Sequence, residues 1–113
     1  MDTEKNIKVQ TVVLKLFNGE DVVCHLRRID DVHIQINFPL TIEVDNNGRG
    51  HFSRWTMSKE ALVEDGWIDI NPMAVISIGT PPNDIEDSYK DIFAKTFSKI
   101  VQPTPEETKL IKQ

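Results

Sequence analysis

Between positions 32 and 44 the apolar residues fall on every second site. Val32, Ile34, Ile36, Phe38, Leu40, Ile42 and Val44 alternate with His33, Gln35, Asn37, Pro39, Thr41 and Glu43. A period of two marks a strand with one buried face. Pro39 has no N–H to give to a ladder, so it marks a bend or an unpaired edge position. Upstream, residues 9–17 (VQTVVLKLF) are too short and too rich in β-branched side chains for a surface helix. Asn18-Gly19 follows as a hairpin signal, since both residues tolerate positive φ. The return segment, 20–30, sets Val22, Cys24 and Leu26 on one side and Asp21, Val23, His25 and Arg27 on the other. After a turn cluster at 45–50, residues 51–57 (HFSRWTM) form the fourth strand, with Phe52, Arg54 and Thr56 opposing Ser53, Trp55 and Met57. Residues 73–78 (MAVISI) form the fifth, stopped by Gly79 and Pro81-Pro82. Between them, 67–70 is a short extended piece, and 58–66 is compatible with either one helical turn or a loop.

The period then changes. Ile85, Tyr89, Ile92, Phe93, Phe97 and Ile100 step by three and four, which predicts a helix over 84–100 with one apolar stripe. Asn83 is placed to cap it, with Glu86 three residues on as in a capping box, and Lys95 and Lys99 suit the C-terminal end of the dipole. The stripe is most simply a lid over the mouth of a small barrel. Residues 1–8 read as a flexible lead-in and 102–113 as a tail, leaving one domain over 9–101. Short sequential strands joined by tight turns predict a mainly β protein: five antiparallel strands, strongly bent into a small barrel, followed by a C-terminal α-helix.

A length of 113 residues fits a single domain. Thirteen basic against eighteen acidic residues give a net charge of −5, which argues against a broad nucleic-acid-coating surface and confines any RNA contact to a local site. The lone Cys24 excludes an internal disulfide and a cysteine metal cluster. No apolar run reaches the ~18 residues of a membrane span and the first ten residues lack a secretory core, so the expectation is a cytoplasmic protein without membrane contact.

Candidate chemistry is sparse. His25, His33 and His51 are too scattered for a recognisable metal site, and Asp30-Asp31 has no partner base or nucleophile beside it; consecutive aspartates belong more naturally to a turn. No phosphate-cradling glycine loop, nucleophile elbow or zinc-protease helix occurs, so neither an enzyme nor a cofactor is expected. Trp55, Trp67 and Phe52 have the chemistry to stack on bases, but such aromatics more often fill a core or an interface.

The run Leu16-Phe17-Asn18-Gly19-Glu20-Asp21-Val22-Val23-Cys24-His25-Leu26-Arg27-Arg28-Ile29-Asp30, with Val32-His33-Ile34 after it, resembles the first signature of the Sm and LSm family, including its bacterial member Hfq. Gly19, Val22, Leu26 and Asp30 fall on that spacing, and Cys24 stands where the family usually has a second glycine. Residues 70–78 (INPMAVISI) resemble the shorter second signature. Together with Pro39-Leu40 and the C-terminal helix, the chain is similar to small Sm-like proteins of tailed phages of marine cyanobacteria. The resemblance implies a homo-oligomeric ring closed by pairing of outer strands, 51–57 of one subunit with 73–78 of the next, acting in the cytoplasm of a bacterial host. It also implies single-stranded RNA at the turns before the third and fifth strands, with His33 and Asn71 as hydrogen-bonding groups and Asp30 positioning its turn. Asn71-Pro72 stands in place of the family's Arg-Gly, and the basic pair of the bacterial form falls on Met73-Ala74. The alternative is therefore a scaffolding ring that binds a phage or host protein and has lost RNA.

Overall fold

A computed structural model describes residues 8–98. Residues 1–7 of the 1–8 lead-in, residues 99–101 at the end of the expected domain and its helix, and the tail over 102–113 lie outside the described residues. Six strands and one helix follow in the order β1 (Val9–Leu16), β2 (Asp21–Asp30), β3 (His33–Val44), β4 (Gly50–Arg54), β5 (Ile68–Ile70), β6 (Val75–Gly79) and α1 (Asn83–Ser98). All pairings are antiparallel, and the sheet runs β4-β3-β2-β1-β6, with β5 on the first half of β3. The fold is thus mainly β with a C-terminal helix, as the patterning predicts. The count differs by one: the extended piece at 67–70 carries its own strand, pairing Ile68 with Ile36 and Ile70 with Ile34. The sheet path has two ends and does not close into a barrel.

The β1–β2 turn is wider than a two-residue hairpin. Gly19 alone takes positive φ, at 92°, while the Asn18 side chain accepts from the Glu20 N–H at 3.0 Å. A single left-handed glycine after a type I-like bend is the alternative that keeps the strands' twist.

The long alternation in β3 is broken in the middle. Val23 pairs with Leu40 and His25 with Asn37, so Cys24 alone faces two residues, Phe38 and Pro39. Phe38 has φ 53°, the one positive value at a non-glycine among the described residues. This bulge reverses the faces. Ile34 and Ile36 pack with Val12, Leu14, Leu16, Val22, Cys24 and Leu26 on one face, whereas Phe38 and Leu40 join Val23 on the opposite one. Pro39 marks the bend, but on a central strand and fully buried rather than at an edge.

The helix covers that second face instead of lidding a mouth. Tyr89 and Phe97 are buried against Val23, Phe38 and Leu40, with Ile85, Ile92 and Phe93 packed beside Val13, Ile42 and Phe52. Each such side chain contributes roughly 1.5–3 kcal/mol when fully buried. The expected capping box is not formed: Asn83 lies inside the helix, the Pro82 carbonyl takes the Glu86 N–H at 2.9 Å, and Glu86 pairs with Lys90 at 3.0 Å. Residues 58–66 resolve into a 3₁₀ turn, Lys59–Ala61, and a loop tied to the bulge. Buried Asn37 donates from Nδ2 to the Val63 carbonyl at 3.0 Å and the Gly66 carbonyl at 2.5 Å. A buried amide needs such partners, and that is the reason the loop exists where it does.

Candidate functional site

The two turns singled out by the resemblance are each built by their own side chains. Asp30 closes the β2–β3 turn: its Oδ1 accepts from the Val32 and His33 backbone N–H groups, both at 2.9 Å, and its carboxylate takes the His33 Nδ1–H at 2.9 Å. These donors, the Val32 N–H first and the His33 ring next, hold the Asp30 carboxyl below its ordinary pKa. His33 therefore presents Nε2 outward when neutral. Asn71 caps the 3₁₀ turn Pro72–Ala74, accepting from the Met73 N–H at 2.9 Å. All three residues are exposed. Asp30 and His33 are brought together, while Asn71 bonds only within its own turn.

A groove of about 260 Å³ lies between the strands that carry these turns. Arg28 and Ile34 form one wall and Pro72, Val75, Ile76, Ser77 and Ile78 the other. None of Asp30, His33 and Asn71 lines it. Arg28 is the side chain that motif spacing overlooked. Its place could have been read from the alternation, because Val22, Cys24 and Leu26 continue to Arg28 on the same face, and Arg28 pairs with Ile34 of that core. No ion pair or hydrogen bond engages its guanidinium among the described residues. The volume falls below the ~300–1,000 Å³ of pockets that enclose drug-sized ligands, so the groove accommodates one base or side chain at a time.

The groove opens beside β6, an edge strand whose main chain, among the described residues, pairs with β1 alone. Ile76 and Ile78 are 57 % and 40 % exposed there, and Met73 76 %. At the other end of the sheet β4, among the described residues, pairs with β3 alone. Aromatic stackers are mostly committed elsewhere: Trp55 packs on the core around Leu14 and Ile36 and donates to Glu20 at 3.1 Å, Phe52 packs under α1, and Trp67 is covered by Arg27 at 4.2 Å from its ring centre. Arg27 in turn donates to Gln35 at 2.8 Å, and Gln35 to Asp69 at 2.9 Å, a ladder across β2, β3 and β5.

His25 is half-buried and its ring nitrogen meets Asn37, while His51 lies 3.7 Å from Glu43. No cluster of three or more histidine, cysteine or acidic side chains able to hold a metal occurs among the described residues. Burial pushes the Cys24 thiol far above its ordinary pKa, which leaves it un-ionised and unreactive. No described helix is long and apolar enough to cross a membrane. Comparison of the chain with protein-family models and with curated proteins gave no match.

Proposed function

We propose that this chain is a non-catalytic Sm-like protein that closes its bent sheet into a barrel-like unit within a homo-oligomeric ring and offers the 30–33 and 71–74 turns to single-stranded RNA. The observation that carries the ring is the pair of open sheet ends. Edge strands bearing free N–H and C=O groups are liabilities that proteins cover, and head-to-tail pairing that closes by rotation covers both at once. The unpaired side of β6, flanked by exposed Ile76 and Ile78, is the acceptor, and β4 of the next subunit is the donor. RNA is supported by the combination of an unpaired Arg28, an apolar groove and the outward hydrogen-bonding edge of His33, the mixture by which unstacked bases and their phosphates are read.

Light scattering on the purified protein tests the ring: a mass several times 12.9 kDa is the expected result, and a monomer at every concentration rejects it. Titration with short A-rich and U-rich RNAs at low salt tests the ligand, with binding expected below a Kd on the order of 10 µM. A second reading, a scaffolding ring that binds a phage or host protein, is favoured by the internal engagement of Asp30 and Asn71. An intact ring that ignores both RNAs would select it.

A further inference from the structure

We propose that His25 is an acid-operated latch: as a neutral imidazole it holds α1 on the sheet, and its protonation loosens the helix and uncovers the apolar face beneath. The geometry is an interface. His25 projects from β2 toward α1, edge-on to Tyr89 with ring centres 5.2 Å apart at 76°, and to Phe93 at 4.8 Å and 67°. Its Nδ1 lies 3.2 Å from Asn37 Oδ1. Because Asn37 Nδ2 donates both hydrogens to the Val63 and Gly66 carbonyls, its oxygen must face the imidazole, and Nδ1 must carry the proton of the neutral ring. A second proton can only go to Nε2, in a ring walled by Tyr89 and Phe93.

Among the described residues no carboxylate contacts that charge. From α1 the nearby cation is Lys90, whose ammonium is paired with Glu86 at 3.0 Å, and the Tyr89 hydroxyl is turned away, donating to the Phe38 carbonyl at 2.8 Å. On β2 the next residue of the same face is Arg27. On β1 the register partner is Thr11, and on β3 it is Asn37, both uncharged. Glu64 and Asp65, in the loop that Asn37 holds, are exposed, and no carboxylate bonds the imidazole. Burial accordingly holds the His25 pKa below its ordinary value; the Asn37 bond works against this and Lys90 with it.

The sign follows by linkage. A histidine whose pKa is depressed in the closed form keeps its full stabilisation above the free-imidazole pKa of about 6.5, and loses it as pH falls from there through the closed-form pKa. Each unit separating the closed and open pKa values changes the opening equilibrium tenfold. The face exposed on opening comprises Val13, Val23, Phe38, Leu40, Ile42 and Phe52.

Two measurements on the full chain test the latch. NMR titration of the histidine ring protons should show His25 titrating below about 6.5. Protection of the α1 amides, corrected for intrinsic exchange, should fall several-fold between about pH 7.5 and pH 5 in the wild type, and stay level in His25→Phe. His25→Gln, which keeps a donor toward Asn37, is the second variant and should also lose the pH response. A His25 that titrates at or above the free value overturns the proposal, and so does an equal pH response in wild type and either variant.

Discussion

The two faces of this sheet meet their surroundings in opposite ways. Under α1, the buried side-chain polar atoms all have partners among the described residues: Tyr89 bonds the Phe38 carbonyl and Asn37 bonds His25 and the 63–66 loop, while Phe97 packs edge to face on Phe38 and Phe93, which meet each other at a tilt. At the β6 end, main-chain groups on one side of the strand, two isoleucines and Arg28 are all left open. A helix placed after the last strand satisfies the face that a lone small sheet would expose, whereas the outer sides of β4 and β6 have no strand partner among the described residues. Stability should therefore reside on the helix side and association on the β6 side, and mutations should separate the two.

The largest effect belongs to the covered face. Tyr89 is fully buried, and Tyr89→Ala removes both its ring and its hydrogen bond to the Phe38 carbonyl. A loss of about 3–5 kcal/mol is expected, as for other large-to-small aromatic changes. Tyr89→Phe, which removes only the hydroxyl shared between the Phe38 and Asn37 carbonyls, should cost about 1 kcal/mol. Denaturant melts read both, and equal costs for the two would mean that the ring contributes nothing. Gly66→Ala comes next. A Cβ there would stand 1.7 Å from the Glu60 carbonyl oxygen, which is backbone and cannot step aside. The loop must shift and loosen its hold on Asn37, at a cost of about 1–3 kcal/mol. A melt unchanged from wild type would show that the loop does not support the bulge.

That bulge also explains what the sequence could and could not show. The strands, the helix stripe and the Asn18-Gly19 turn were legible because each follows a local period or a local turn preference. The reversal at Phe38 was not, since an unbroken alternation of Ile36, Phe38 and Leu40 gives no sign that Cys24 will face two residues. Asn37, read as a polar-face residue, proves buried for the same reason. The strand at Ile68–Ile70 is short, and it forms because β3 is long enough to hold two partners end to end. Of the candidate site, the Asp30 turn and the Asn71 cap follow from turn chemistry. Arg28 was hidden in plain alternation, because attention to charged motifs passes over a single arginine at the end of an apolar series.

The open end gives smaller effects on folding and larger ones on assembly. Ile78→Lys places a charge on an exposed edge position, a substitution that edge strands use to refuse partners. Since Ile78 is 40 % exposed in the single chain, the melt should move by less than about 1 kcal/mol, while the particle mass falls to that of one chain. An assembly of undiminished mass would show that β6 is not the contact.

Arg28→Gln is the subtlest break and the most specific. Its guanidinium has no partner among the described residues, so its removal should leave folding and mass unchanged and alter RNA binding alone. A side chain that only shapes the groove would, when shortened, weaken binding equally at all salt concentrations. One that contacts a phosphate releases a condensed counterion, and for single strands each such contact contributes about 0.7 to the slope of log K against log salt. Arg28→Gln should therefore flatten that slope by about 0.7 for each Arg28 engaged. His33→Ala, which removes a group with no fixed charge when neutral, should weaken binding with the slope retained. A slope that is the same in wild type and Arg28→Gln would place the phosphates elsewhere. It would leave the groove as a purely apolar feature of the β6 edge, and so as part of the subunit contact rather than of the RNA path.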